Sequence, residues 1–234
     1  MSRTKKAVII GSVLVGIGVI IGFIGIAIGG FKFPNGAVDL TTMKALHTEK
    51  KTVQIADAFD KIEIAGASSM DIEICKSKTG KNYVEYYDTD DWTSHVDVKD
   101  HVLKFTTDDK GKHKAIVSLG FGKDTAARLY LADAEYKEIA VTTLSGYVTI
   151  QDVNAGTVNV SASSGDIELE SCDAEKFDIT TSSGDVDMEI TAGRTYRFET
   201  KTNSGAVDVP DGDADSDYLC KIVTSSGDVD VKQK

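Results

Sequence analysis

Five copies of one short pattern constrain what this chain can fold into. Between Ile139 and Val231 each copy reads apolar-x-apolar-x-Thr/Ala-x-Ser-Gly, then Asp/Tyr/Ala-apolar-x-apolar. The glycines are Gly146, Gly165, Gly184, Gly205 and Gly227, at intervals of 19, 19, 21 and 22 residues. A period near twenty marks a supersecondary unit that buries its apolar face only by associating with its neighbours.

The faces follow from parity. Seven residues before each glycine stand Ile139, Val158, Phe177, Phe198 and Cys220; five before stand Val141, Val160, Ile179, Thr200 and Ile222. Two after stand Val148, Ile167, Val186, Val207 and Val229; four after stand Ile150, Leu169, Met188, Val209 and Val231. The residues between them are mostly polar, including Glu168, Asp187, Asp208 and Asp230. Side chains alternate across a strand, so each unit supplies two strands with one apolar face apiece, joined by a Ser-Gly turn.

Two architectures satisfy this parity. Successive units can coil into a β-solenoid with equivalent positions stacked about 4.8 Å apart. Alternatively, each Ser-Gly closes a two-residue hairpin, giving a β-sandwich of hairpins. Like residues at like positions favour the solenoid: Ser145, Ser164, Ser183, Ser204 and Ser226 precede the glycines, and Thr143, Thr181, Thr202 and Thr224 recur at minus three. Such ladders are expected when units stack in register.

The first half carries short alternating segments as well. Ile62–Ile64 and Ile72–Ile74 flank Ser68-Ser69-Met70-Asp71, a worn copy of the Ser-Ser-Gly-Asp unit with Met70 in the glycine's place. Segments 83–87, 95–98, 102–105, 115–119 and 128–132 also read as strands. No helical period of 3.6 residues is sustained outside the N-terminal apolar run, so the fold class is all-β.

That run, Ala7–Phe31, is 25 uncharged residues rich in Ile, Val and Gly. Roughly 20 such residues span a bilayer, whereas a cleaved signal carries an apolar region of about 7–15 residues. The expectation is therefore one retained transmembrane α-helix. The organisation reads as cytoplasmic tail 1–6, transmembrane helix 7–31, juxtamembrane linker 32–53, irregular β part 54–138 and β-repeat region 139–234. Arg3, Lys5 and Lys6 place the N-terminus in the cytoplasm and the remainder outside, a single-pass cell-membrane protein with an extracellular C-terminal domain. Gly18, Gly22, Gly25 and Gly29 share one helical face, which permits close approach of a second copy or of another membrane protein.

Beyond residue 31 the chain holds 23 basic against 37 acidic residues, an unfavourable balance for nucleic acid. The three cysteines, Cys75, Cys172 and Cys220, contain no C-x-x-C pair, leaving one disulfide plus a free thiol or three free thiols. Cys220 fills an apolar slot of the repeat and reads as a buried thiol.

The run Ala127-Arg128-Leu129-Tyr130-Leu131, then Tyr136-Lys137-Glu138-Ile139-Ala140-Val141, followed by repeated Ser-Gly-Asp-apolar-x-apolar, resembles the bacterial β-strand-repeat proteins labelled "putative adhesins". Relatives with one N-terminal membrane helix include the LiaG-like proteins of Gram-positive cell envelopes. The resemblance covers most of residues 54–232. It implies a right-handed, β-helix-like exterior domain and offers no catalytic residues to carry over.

Candidate chemistry is sparse. A serine nucleophile needs a base within hydrogen-bond reach, and the histidines, His47, His95, His101 and His113, all lie outside the clear repeats. Five recurring serines therefore read as turn chemistry. His95, Asp97 and His101 share parity but lack metal-ligand spacing. Asp211, Asp213 and Asp215 alternate as in a calcium loop, but Ser216 replaces the turn glycine and Ile222 the bidentate acid of that motif, so the loop reads first as a solvated turn and no cofactor is expected, with a weak exterior calcium site as the alternative. Tyr86, Tyr87 and Trp92 cluster as a candidate sugar-stacking group or a buried cap. Outward acids of the second strands can align as rows facing cations or basic peptides. The expected role is a non-enzymatic adhesin or cell-envelope scaffold binding an envelope polymer or protein; an accessory or sensing protein of an envelope-stress system is the alternative.

Overall fold

The computed structural model describes residues 37–39, 44–45, 48–66, 70–89, 92–109, 116–118, 126–132, 135–191 and 193–234. The apolar run Ala7–Phe31, with Gly18, Gly22, Gly25 and Gly29, lies outside them. Among the described residues no helix is long and apolar enough to cross a membrane, and regular structure is all strand.

The first half supplies β1 (Ala37–Asp39), β2 (Lys44–Ala45), β3 (Thr48–Ile55), β4 (Lys61–Ala65), β5 (Ile72–Lys76), β6 (Asn82–Thr89), β7 (Trp92–Lys99), β8 (Val102–Asp109), β9 (Ile116–Ser118) and β10 (Ala127–Leu131). The Gly146 unit is β11 (Tyr136–Ser145) plus β12 (Val148–Gln151). The Gly165 unit joins β13 (Asn154–Ser164) to the start of β14 (Ile167–Ser183), and the Gly184 unit joins the end of β14 to β15 (Val186–Ile190). The Gly205 unit is β16 (Arg197–Lys201) with β17 (Val207–Asp208); the Gly227 unit is β18 (Leu219–Ser226) with β19 (Val229–Gln233).

The two strands of a unit do not pair with each other. Strands before the glycines form one side, ordered β7-β8-β4-β11-β13-β14-β18-β16; strands after them form the other, β3-β6-β10-β5-β12-β14-β15-β19-β17. Within the repeats every pairing is parallel, with Val141 beside Val160, Val160 beside Ile179, and Ile179 beside Ile222, and the register holds except for a shift in the β14–β15 pair between Leu169 and Cys172. This is the stacked arrangement; hairpins closed at Ser-Gly would have paired β11 with β12. β14 runs 17 residues through a corner and belongs to both sides, making one continuous 16-stranded sheet. Antiparallel pairs β3–β6, β6–β10 and β7–β8 finish the end of the stack that precedes the repeats.

One feature departs from simple coiling. The Gly227 unit pairs with the Gly184 unit on one side and the Gly205 unit on the other, so the last unit in sequence is next to last in space. The Gly205 unit forms the outer end.

The core lies between the two sides. Ile139, Phe177, Ile179, Val148, Ile150, Ile167 and Ile222 are completely or almost completely buried, each such side chain contributing about 1.5–3 kcal/mol relative to exposure. The terminal position explains the exceptions: Val207 has the inward parity of Val229 yet is 42% exposed, because no unit lies beyond it. The linker expectation over 32–53 also needs revision, since β3 occupies Thr48–Ile55 and pairs with β6. Its Lys50 and Lys51 pair with Glu85 and Asp88.

The Ser-Gly corner is where sequence and stacking meet. The glycine N–H groups of Gly146, Gly165, Gly184 and Gly227 donate to the carbonyls of Ser164, Ser183, Ser226 and Ser204 of the next unit. A Cβ on Gly184, whose φ is +141°, would stand 2.2 Å from the Gly165 carbonyl oxygen, and one on Gly227 2.0 Å from that of Gly184. No side chain fits there. Met70 takes the glycine's place because it starts the column: Gly146 rests on the Met70 carbonyl.

Candidate functional site

Where an aspartate follows the corner residue, after Met70, Gly165, Gly184 and Gly227, it is a stacking residue. Asp71 accepts the N–H of Tyr147 at 2.9 Å, Asp166 that of Asp185 at 2.9 Å, Asp185 that of Asp228 at 2.8 Å, and Asp228 that of Ala206 at 2.7 Å. Each carboxylate thus receives a backbone donor from the following unit. Ala206 needs no carboxylate, since the Gly205 unit is the last. The threonines close the same corner from inside: Thr202 Oγ1 donates to the Gly227 carbonyl at 3.2 Å and Thr224 Oγ1 to that of Gly184 at 3.5 Å.

A second set of acids is free of that duty. On the outer face of the post-glycine strands, register aligns Glu168, Asp187, Asp230 and Asp208 in one row. Glu170 and Glu189 flank it, and with Glu168, Asp187, Asp230 and Lys232 they line a shallow trough of about 250 Å³. Burial by the neighbouring chains pushes the Glu168 carboxyl up, with Glu170 and Asp187 adding to the effect. Asp187 is pushed up by burial, then by the charges of Asp230 and Asp185. The cations on this face are paired: Lys232 with Asp230 at 2.9 Å, Lys234 with Glu189. The hydrogen bond from Lys234 in turn holds Glu189 below the usual carboxylate range. The row is an extended negative field, able to attract cationic groups presented at unit spacing. Among the described residues no three His, Cys, Asp or Glu side chains are grouped as a metal ion requires.

The other sequence candidates fall elsewhere. His95 Nε2 lies 3.2 Å from Asp108, while His101 sits in the β7–β8 turn at φ +62° and uses its carbonyl to accept the N–H groups of Asp60 and Lys61. Asp97 is opposite Lys104. His47 and His113 lie outside the described residues. Tyr86 is buried edge-on against Phe105, and Trp92 donates its indole N–H to the Tyr87 carbonyl, so two of that trio are occupied in packing.

The Asp211–Asp217 loop lies over the outer end of the stack. Asp213 donates its N–H to the Tyr196 carbonyl and accepts that of Asp215, Ser216 Oγ donates to the Thr195 carbonyl, and Gly212 packs on Phe198. The loop carrying Asp211, Asp213 and Asp215 therefore has a capping role besides any affinity for calcium. All three cysteines are free thiols. Burial pushes Cys172 and Cys220 up to about 12.

The stacking acids were missed because their partners belong to other units. The recurrence of Asp immediately after glycine, set against Ala206, was the available signal.

Comparison with known proteins agrees with this architecture. No curated protein matches the chain. A crystal structure described as a "putative cell adhesion protein" from Clostridium sporogenes is 17% identical, covers 81% of this chain and 100% of its own, and superposes with a TM-score of 0.57. A "putative adhesin" from Bacteroides fragilis, 16% identical over 80% of this chain and 97% of its own, reaches 0.38. A "putative lipid binding protein" from Parabacteroides distasonis, 13% identical over 79% and 97%, reaches 0.29. Only the first is close enough in shape to bear on the fold. The family model that matches residues 59–234 covers every strand of the 16-stranded sheet except β3, and on that match the chain belongs to the Toastrack DUF4097 family.

Proposed function

We propose that the protein is a non-enzymatic, membrane-tethered exterior body, coiled in the right-handed sense, that serves in adhesion or as a cell-envelope scaffold. Parallel strands joined by a crossover within one sheet are right-handed in about 98% of cases, which supports the hand. One observation carries the functional reading: the outward row Glu168, Asp187, Asp230 and Asp208 repeats one carboxylate in each of four stacked units on a broad face. A surface of that kind suits many weak contacts to a repeating or extended partner with cationic groups, where summed charge steers association. The serine carbonyls, the glycine N–H groups and Asp71, Asp166, Asp185 and Asp228 are engaged in stacking, which supports a structural role for the recurring motif. The description of the Clostridium sporogenes structure as a "putative cell adhesion protein" is consistent with the same reading.

The test uses the full chain in membranes. Fractionation is expected to find it in the membrane, with residues beyond 53 open to external protease. Isolated envelope polymer carrying amines is expected to be retained by the protein at low salt and released as salt rises. Retention of a membrane sensor protein in place of polymer would favour the envelope-stress alternative.

A further inference from the structure

Leu144 and Tyr147 are each 59% exposed and flank the Ser145-Gly146 corner. The corresponding pairs in the other units are Ser163 and Asp166, Ser182 and Asp185, Asn203 and Ala206, and Ser225 and Asp228. A corner built from small and polar side chains thus carries, in one unit alone, an aliphatic and an aromatic side chain. Stacking does not ask for them. Tyr147 occupies the place of a carboxylate that the adjoining units extend to the next N–H.

The chain enters the stack on this same flank. Register carries Val53 through Val84, Leu129 and Ile74 to the level of Ile150. β3 runs parallel to β12, because two antiparallel steps separate it from β10, and β10, β5 and β12 are parallel. Thr48, upstream of Val53 on β3, therefore lies past the level of Val148, abreast of the Ser-Gly corner. β3 thus begins at the level of the edge where Leu144 and Tyr147 project, with β6, β10 and β5 between it and β12.

The size of the apolar patch limits its occupant. A stable protein interface buries about 800 Å² per partner, and two partly exposed side chains fall far short. A bilayer interface makes no such demand: tyrosine partitions to the headgroup level and an aliphatic side chain enters below it. Asp71 and Asp166 beside the corner make the contact apolar in origin and disfavour attraction to anionic headgroups.

We propose that the Leu144–Tyr147 corner is a wedge that seats the β body on the surface of the bilayer. The proposal rests on the membrane-tether reading given above, and the tether raises the local concentration that so small a contact needs.

The experiment uses the full chain reconstituted in phosphatidylcholine vesicles, with Trp92→Phe and Tyr147→Trp to leave one indole at the corner. Flotation reports the tether; quenching by bromine-labelled lipid reports the wedge. The expected result is flotation, a blue-shifted emission, and quenching that falls several-fold when Leu144→Ser is added. A chain that floats while its indole stays unquenched overturns the wedge and leaves the tether standing. A chain that does not float overturns the tether reading and the wedge with it.

Discussion

The backbone N–H of Asp228 donates to the carboxylate of Asp185 across 2.8 Å, although 43 residues separate them and the whole Gly205 unit lies between them in sequence. The same bond links Asp166 to Asp185 and Asp228 to Ala206. The aspartate after Gly165, Gly184 or Gly227 is thus a clamp between units, and it records the order in which the units stack.

Removing one clamp weakens the stack. Asp185→Ala deletes the acceptor of the Asp228 N–H and is expected to cost about 1 kcal/mol, read as a lower denaturant midpoint with unchanged slope. Tyr147→Asp would give the next unit's N–H an acceptor and is expected to stabilise, while Ala206→Asp, with no unit beyond it, is expected to change nothing. A gain from Ala206→Asp equal to that from Tyr147→Asp would contradict the clamp.

Glycine in the column answers to space as much as to backbone angle. Gly184→Ala places a Cβ 2.2 Å from the Gly165 oxygen at φ +141°, and a loss of about 3 kcal/mol or more is expected. At Gly80, with φ +65° and nothing within 4 Å, the same substitution meets only backbone strain, expected at about 1–2 kcal/mol. Thermal unfolding of the two variants separates the effects.

The acidic row titrates in the less usual direction. Glu168 and Asp187 have folded-state values above their ordinary ones, so the folded protein binds more protons than the unfolded chain in the window just above the ordinary carboxylate range. Their contribution to stability therefore rises as pH falls into that window and declines as pH rises through it. Asp187→Asn is expected to raise stability slightly at neutral pH, an effect kept small because the side chain is exposed and its charge is screened by solvent. The advantage over wild type should vanish in acid, as a melting series across pH would show.

Thiol chemistry reports on packing. Cys172 and Cys220 are fully buried and pushed up to about 12, whereas Cys75 is half-buried. In the native protein Cys75 alone is expected to react with an alkylating reagent, and all three after denaturation, as counted by mass.

Much of this architecture is legible in the sequence. Alternation placed Ile139, Val160, Ile179 and Val229 inside, and the identity of Ser-Gly across units indicated stacking over hairpins. The order of the last two units was not legible from register. Phe198 and Cys220, Thr202 and Thr224, and Val207 and Val229 offer equivalent side chains to a neighbour, so either unit fits next to the Gly184 unit by parity. The asymmetry that decides lies in single residues: Ala206 has no acceptor to give, and a two-residue β17 presents little edge. β3 was hidden for another reason, since Lys50 and Lys51 read as a solvated linker until Glu85 and Asp88 on β6 supplied their partners. The acidic row was foreseen as an alignment of outward acids, but its membership depends on the stacking order and so required the fold.

Cross-linking tests that order most directly. Register sets Ser182 beside Ser225 and Ser225 beside Asn203. Adjacent strands stand about 4.8 Å apart, within the 4.4–6.8 Å span of a disulfide, and strands two units apart do not. In a Cys75→Ser background, Ser182→Cys with Ser225→Cys is expected to form a disulfide under mild oxidation, while Ser182→Cys with Asn203→Cys stays reduced. The reverse outcome would mean that the units coil in sequence order and would contradict the threaded stack.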